Sequence, residues 1–173
     1  LAILMDTTKR KNIAVLVSGI NQEYQNNIVK GIMNCAKDVG FNISVFECYG
    51  GVTEREKNDY GEYNIFSLLN TSHCDGIILL TNTMKLKHFV NLVLDNVKTV
   101  NVPIVSVDRE LDNAFFVVTE SYNALKNIVS HFINHHKFTN INFISGSLDN
   151  IEAVQRVRAY KDALAENNIP FNQ

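Results

Sequence analysis

The sequence predicts an α/β protein built on a mostly parallel sheet with helices on both faces, and two observations support this fold class. Short apolar runs of strand length alternate along the chain with segments whose apolar residues recur at helical spacing. Several of the short runs are continuously apolar, which is typical of strands that are covered on both faces. With 173 residues, 46% of them hydrophobic and 20% charged, the chain is long enough for one sizeable core.

The predicted strands and helices follow a regular order. The first strand covers residues 12–18, and the first helix runs from about Ile28 to Gly40, a residue well suited to a helix C-cap. Further strands are expected at residues 43–48, 75–80, 104–107, 115–118 and 141–145, and further helices at residues 65–69, 86–94, 124–133 and 153–164. Two strands and two helices after residue 114 are too few for a finished second lobe, so we expect a fragment of a longer protein.

Composition and charge exclude several classes of function. The formal net charge is −2, so the chain has no basic excess for binding nucleic acid by itself. No apolar run approaches the roughly 20 residues that span a bilayer, and no leader is visible, which predicts a cytoplasmic protein without membrane contact. Cys35, Cys48 and Cys74 are odd in number and contain no C-x-x-C pair, and we expect them to be buried free thiols.

The motifs that would indicate catalysis or a metal are missing from the sequence pattern. The chain lacks the glycine-rich motifs of NTPases and dinucleotide-binding proteins and the nucleophile elbow of α/β-hydrolases, so no catalytic residue and no cofactor is predicted. His131 and His135 lie four residues apart on a predicted helix, a spacing that binds zinc. The sequence pattern provides no third ligand and no neighbouring glutamate, so the pair is interpreted as solvated surface residues without a metal.

The most informative segment for function is residues 102–110, where a short apolar strand ends in Asp108 and Arg109. In an open parallel sheet, ligands bind at the carboxyl ends of the strands. A carboxylate accepts hydrogen bonds from hydroxyl groups, and a guanidinium donates a planar fork of them. The segment therefore predicts a site for a polyhydroxylated small molecule, with an ordinary surface turn as the alternative.

Five ordered segments resemble the effector-binding domains of LacI/GalR-type regulators, which share the fold of type I periplasmic sugar-binding proteins. Each segment is weak alone, but their order and spacing are specific, and the similarity covers residues 9–173. The segments are residues 13–17 followed by Asn21-x-x-Tyr24, then 75–79, 102–109, 141–146, and Arg156-x-x-Ala-Tyr160 leading into 162–166.

The resemblance implies two similar lobes that close around a ligand. Residues 1–11 would be a linker or hinge, residues 12–118 the N-terminal lobe, and residues 119–173 the start of a truncated C-terminal lobe. The implied ligand contacts follow strand ends or lie on the last helix, and they are Asn21, Glu23, Tyr24, Thr81, Asn82, Asp108, Arg109 and Arg156.

The function that the resemblance implies is sensing of a small polar, sugar-like effector in a bacterial transcriptional regulator, without enzyme activity in this chain. A homodimer is expected, with DNA contacted only through a segment outside the chain. Two departures from the family's pattern bear on the ligand contacts: the first puts the usual Asp-Asn contact in doubt, and the second keeps one aromatic ring and adds a carboxylate, which leaves a more polar or cationic ligand open. Thr119-Glu120-Ser121 replaces the usual Asp-Asn, and Asn21-Gln22-Glu23-Tyr24 replaces Asn-Pro followed by two aromatic residues.

Two other functions remain open at the level of sequence. Residues 50–64 are closer to sensor lobes fused to diguanylate cyclase modules, which would make the chain the sensor of a signalling protein with an attached enzyme. A transport sugar-binding protein is the third interpretation, and it would require an export signal.

Overall fold

The computed structural model describes residues 10–49, 61–84, 91, 94–95, 102–148 and 150–171. The chain divides into two compact units, one ending at Val118 and the other beginning at Thr119. The expected hinge lies outside the described residues except for its last two positions, and so do most of residues 50–64 and 86–94. Within the described ranges, no helix is both long and apolar enough to cross a membrane.

The first unit contains a five-stranded sheet in which every pair of neighbours is parallel, as predicted. The spatial order of the strands is β2-β1-β3-β4-β5, so the chain moves outward from β1 to β2, crosses to β3, and continues to the opposite edge. The strands are β1 (Asn12–Ser18), β2 (Asn42–Cys48), β3 (Gly76–Leu80), β4 (Ile104–Val107) and β5 (Phe115–Val117).

The inner strand β1 has four residues, 14–17, that are fully buried, because the sheet is covered on both faces there. Val15 and Val17 belong to a cluster with Val29 of helix α1 (Glu23–Val39). Ala14 and Leu16 belong to a second cluster that includes Tyr63, Phe66, Ile77, Leu79 and Met84. The second cluster includes Phe66 of the 3-10 turn Asn64–Leu68, and this turn replaces the short helix expected over residues 65–69. A second 3-10 turn, Thr71–His73, precedes β3 and has no buried residue.

Helix α1 ends where the sequence predicts. Gly40 has a φ of 74°, in the left-handed region that a side chain disfavours, and its N–H group is directed to the carbonyls of Ala36 and Lys37. The next N–H group, that of Phe41, donates to the Ala36 carbonyl at 2.8 Å. This cap turns the chain directly into β2.

The second unit consists of two packed helices, α2 (Tyr122–Asn134) and α3 (Ile151–Glu166). Each extends the predicted helix by one or two residues at either end. The Asn150 side chain caps α3 by accepting a hydrogen bond from the Glu152 N–H at 2.8 Å. The buried residues between the helices are Val129, Tyr160, Ala163 and Leu164.

The strand predicted at residues 141–145 is not formed, and that prediction is wrong. The segment has no regular secondary structure and no partner strand among the residues that the structure describes. Ile141 and Phe143 pack against the α2–α3 cluster, whereas Ile144 points away and is 95% exposed. The alternating side chains are those of a strand, but a strand also needs a neighbour for its backbone hydrogen bonds.

The three cysteines are free, as predicted, but only one of them is buried. Cys48 lies in the core at the end of β2, Cys74 is half-buried, and Cys35 is exposed on α1. Partial burial, together with the negative charge of Asp75, raises the pKa of the Cys74 thiol.

Candidate ligand-binding site

The carboxyl ends of the three central strands lie side by side at one edge of the sheet. The register pairs Leu16 with Leu79 and Leu80 with Val107, so β1, β3 and β4 end at nearly the same level. The loops that follow them therefore start next to one another. In parallel α/β sheets this edge is where ligands bind.

The loop after β1 is a tight turn that leads into α1. Gly19 has a φ of 71°, and its N–H donates to the Cys48 carbonyl at the end of β2 at 2.8 Å. The Asn26 side chain donates to the Ile20 carbonyl at 3.3 Å, which ties the first turn of the helix back to the loop. This geometry places Tyr24 at the start of α1, with 52% of its surface exposed.

Asp108 is the residue on which the three loops converge. The Tyr24 hydroxyl donates a hydrogen bond to its carboxylate, and the Asn82 side-chain amide donates to its carbonyl at 3.1 Å. Its own N–H donates to the Val117 carbonyl of β5 at 2.8 Å. The structure therefore brings together three predicted contacts that come from separate parts of the sequence.

The backbone of Asp108 is in the left-handed region, with a φ of 65°. This conformation costs free energy for a residue with a Cβ, although aspartate and asparagine tolerate it better than most. Such residues concentrate at binding sites, where the surrounding structure holds them in place. At Asp108, the hydrogen bonds from Tyr24 and Asn82 help to hold the left-handed conformation.

Arg109 follows directly and is half-buried. It forms no hydrogen bond or ion pair with any residue in the described part of the chain. Asn21 and Glu23 are exposed beside the first turn of α1. Glu23 has an additional structural role there, since an acidic residue in the first turn interacts favourably with the helix dipole.

Thr81 is placed differently from the other predicted contacts, because it is only 2% exposed. Its Oγ1 lies 2.7 Å from the Oγ of Ser106, which is fully buried on the adjacent strand β4. The neighbouring Thr83 accepts a hydrogen bond from the Ser18 N–H at 3.0 Å. The Thr81 hydroxyl therefore joins the ends of β3 and β4 beneath the surface of the site.

Glu47 on β2 is a further polar residue near this edge that the sequence interpretation missed. It pairs in register with Val17, and its Oε1 atom is buried without a hydrogen-bond partner among the described residues. A hydrogen bond to the Glu47 carboxylate raises the pKa of Tyr49, and burial and the charges of Glu47 and Glu62 raise it further. The available signal was a glutamate between Phe46 and Cys48 at the end of a predicted strand.

Arg156 belongs to the second unit and lies on α3. Its Nη2 donates to the Glu152 carboxylate, one turn earlier in the helix, at 2.5 Å. The side chain is 44% exposed. In this structure its charge is neutralised within its own helix, as is common for exposed (i, i+4) pairs.

Comparison with known proteins gives matches at the level of structure. No protein-family model and no curated protein matches the chain. The transcription regulator CcpA of Lactococcus lactis matches with a TM-score of 0.70 and 21% identity, over 95% of this chain and 57% of that one. A sugar-binding transcriptional regulator of the LacI family from Escherichia coli, complexed with phosphate, matches with a TM-score of 0.66 and 21% identity, over 94% and 55%.

A third match is a periplasmic binding protein/LacI transcriptional regulator from Alkaliphilus metalliredigens, complexed with D-xylulofuranose. Its TM-score is 0.65 and its identity 17%, over 92% of this chain and 54% of that one. The chain thus spans little more than half the length of the three regulators. Over at least 92% of its own length, the chain has the periplasmic-binding-protein-like fold of LacI-family transcriptional regulators, as its ordered sequence segments predicted.

Proposed function

We propose that this chain is the effector-sensing part of a bacterial transcriptional regulator and that it binds a sugar-like molecule at the carboxyl edge of the sheet. The observation that carries the proposal is the convergence of Tyr24 and Asn82 on Asp108, next to the half-buried Arg109. Acceptor, donors and an aromatic ring at one strand edge are the groups that orient a polyhydroxylated ligand.

Each of these groups has a distinct role toward such a ligand. The Asp108 carboxylate has about four acceptor positions, so it can hold Tyr24 and still accept hydrogen bonds from ligand hydroxyls. Arg109 can donate two parallel hydrogen bonds to neighbouring oxygens. The exposed ring of Tyr24 offers an apolar surface for the C–H face of a sugar.

The comparisons support this ligand class. One matched regulator is described as sugar-binding, and another is complexed with D-xylulofuranose. Asn21 and Glu23 at the rim would add an amide and a carboxylate to the site. Glu23 also allows the ligand to carry a positive charge in addition to hydroxyls.

We also propose which lobe of the effector-binding domain each unit forms. Residues 12–118 are assigned as the N-terminal lobe and residues 119–173 as the beginning of the C-terminal lobe, with residues 1–11 as a hinge. Arg156 is the proposed contact from the second lobe, and it would exchange Glu152 for the ligand. The chain would act as a homodimer and reach DNA only through a segment outside residues 1–173, with no catalytic step of its own.

Ligand-detected NMR on the 173-residue chain tests the proposal, because saturation transfer detects weak binding. A panel of pentoses, hexoses and disaccharides should contain a ligand that receives saturation from the protein. Replacing Arg109 with Ala should weaken its binding by about 2 kcal/mol, or roughly thirtyfold, because a forked charged donor is lost. Asp108→Asn should also weaken the binding of this ligand, and it should leave the backbone conformation unchanged.

Matched controls separate the site from general charge effects. Asp112→Asn alters an exposed acid in the same loop, and Arg10→Ala alters an exposed arginine before β1, at the opposite edge of the sheet. Both should bind as the unmodified chain does. A sugar that binds equally to Arg109→Ala, Asp108→Asn and the two controls would remove these residues from the site.

A further inference from the structure

The last turn of α2 brings three histidines together, one more than the sequence pattern indicated. His131, His135 and His136 are all exposed, and a ligand nitrogen of each lies within 4.8 Å of the others. His131 and His135 share a helix face because they are four residues apart. His136, five residues from His131, would point elsewhere in a continuous helix, so its position depends on how α2 ends.

The end of α2 is a tight turn that collects the three residues around one carbonyl. The N–H groups of His135 and His136 both donate to the His131 carbonyl, at 2.8 and 3.4 Å. Lys137 then takes a left-handed conformation with a φ of 58°, and the Phe138 N–H donates to the Phe132 carbonyl at 3.1 Å. These bonds fix the backbone, so the Cα positions of the histidines are set before any ligand binds.

The imidazole rings already touch one another. The rings of His131 and His135 are stacked with centroids 4.8 Å apart and an interplanar angle of 15°. The His136 ring stands nearly perpendicular to both, with centroids 4.9 and 5.0 Å away. Phe138 stacks on the His136 ring at 5.4 Å, which restricts its rotation.

The geometry is close to that of a three-histidine metal site. Zinc–nitrogen bonds of about 2.0–2.1 Å in a tetrahedron place the nitrogens about 3.3 Å apart. The largest separation here, 4.8 Å, must therefore shrink by about 1.5 Å, which side-chain rotation of exposed residues on a fixed backbone can supply. The carbonyl end of a helix carries partial negative charge, which favours a cation at this position.

We propose that His131, His135 and His136 form a surface site for a divalent transition-metal ion, and that Zn²⁺ is the principal ion bound there. Imidazole nitrogens suit zinc, copper and nickel, whereas magnesium and calcium require oxygen ligands. Three protein ligands leave a fourth tetrahedral position for water or for a donor atom from another molecule. The site lies within the second unit and is separate from the sugar-like ligand proposed for the first.

Isothermal titration of the untagged 173-residue chain with ZnCl₂ tests the proposal. A polyhistidine tag must be absent because it binds the same ions. At pH about 7.5 we expect one Zn²⁺ to bind per chain. His135→Gln and His136→Gln should each weaken that binding at least about tenfold, since loss of even an outer-shell partner costs that much in known sites.

Controls make each outcome decisive. His73→Gln removes an exposed histidine in the first unit and should bind Zn²⁺ as the unmodified chain does. Without metal, all variants should melt at the same temperature because the replaced rings are exposed. With the same Zn²⁺ concentration, the unmodified chain and His73→Gln should gain more thermal stability than His135→Gln and His136→Gln. Absence of saturable binding, or equal affinity in the unmodified chain and in His136→Gln, would overturn the proposal.

Discussion

At the scale of single residues, the sequence located Asp108 but not its environment. An acid at the end of a short apolar strand predicted its position at the sheet edge, and the structure places it there. The sequence pattern predicts neither its left-handed backbone nor its hydrogen bond from Tyr24. Tyr24 lies 84 residues away along the chain. Contacts of that kind depend on strand order and register, which local spacing does not encode.

The backbone of Asp108 leads to a prediction about stability. Asp108→Ala should lower the free energy of unfolding by about 1–2 kcal/mol, because the left-handed conformation is less favourable for alanine than for aspartate. Asp108→Asn should change it by less than about 0.5 kcal/mol, since asparagine tolerates that region and keeps an acceptor for Tyr24. Urea unfolding of both variants measures the difference, and equal losses would show that backbone conformation does not select the residue.

Thr81 shows the opposite outcome at the same scale. The resemblance implied that it contacts the ligand, whereas the structure buries it against Ser106. The residue that follows a buried strand can turn outward or remain in the core, and the sequence around Thr81 does not distinguish the two. The 3-10 turn Thr81–Thr83 keeps its first side chain inside.

A double-mutant cycle tests the buried pair. Thr81→Val should destabilise the chain by about 1–3 kcal/mol, because it leaves the Ser106 hydroxyl buried without its partner across the strands. Adding Ser106→Ala should recover part of that loss, since the stranded hydroxyl is then removed. Strictly additive effects in urea unfolding would mean that the two hydroxyls do not interact.

At the scale of elements, apolar spacing was sufficient for α1, α2 and α3 and for the strands that have partners, whereas the short helix expected over residues 65–69 is a 3-10 turn. The strands of the first unit match their predicted bounds within about one residue, and each of them has at least one neighbouring strand with which to form backbone hydrogen bonds. The strand prediction for residues 141–145 was wrong because the alternation of buried and exposed residues concerns side chains only. Whether the backbone pairs with another strand depends on other segments of the chain. The contacts between α2 and α3 were also invisible, since they join residues 40 positions apart.

The polar contacts between α2 and α3 lead to a prediction about pH. The Tyr122 hydroxyl donates to Asp162 at 2.5 Å, and this bond raises the pKa of Tyr122, with further increases from burial and the Asp162 charge. The bond between Lys126 and Glu166, 2.6 Å long, likewise raises the pKa of Lys126. A raised pKa means that the folded state holds its proton more tightly than the unfolded state.

Both contributions to stability are therefore complete below pH about 10 and are lost as the pH rises through the raised pKa values. Above pH about 10, the melting temperature of the unmodified chain should fall more steeply with pH than that of the double variant Tyr122→Phe and Lys126→Met. Tyr49→Phe gives a comparison outside this helix pair: its tyrosine also has a raised pKa, so its effect on the pH profile should add to that of the double variant. An unchanged pH profile in the double variant would contradict the assignment.

At the scale of the whole molecule, the first unit exposes apolar surface that a second copy can cover. Strand β5 pairs with β4 on one side, and Phe115, Phe116 and Val117 are 71%, 49% and 62% exposed. A groove of about 590 Å³ lies near the opposite end of the strands from the ligand site, lined by apolar residues of α1 and the sheet that include Ile32, Val39, Ile43, Ile78 and Val105. Contiguous apolar surface of this kind marks association sites in soluble proteins.

We therefore expect the chain to self-associate at concentrations of tens of micromolar, with β5 at the contact. An edge strand presents unpaired backbone groups, and a lysine on such an edge opposes pairing because it must be desolvated. Phe116→Lys should shift the mass measured by light scattering toward that of a monomer. Ile144→Lys places the same charge on a side chain that is 95% exposed in the second unit, and it should leave the mass unchanged. A monodisperse monomer before any substitution would exclude β5 as an association surface and would remove the main physical support for a homodimer of this chain.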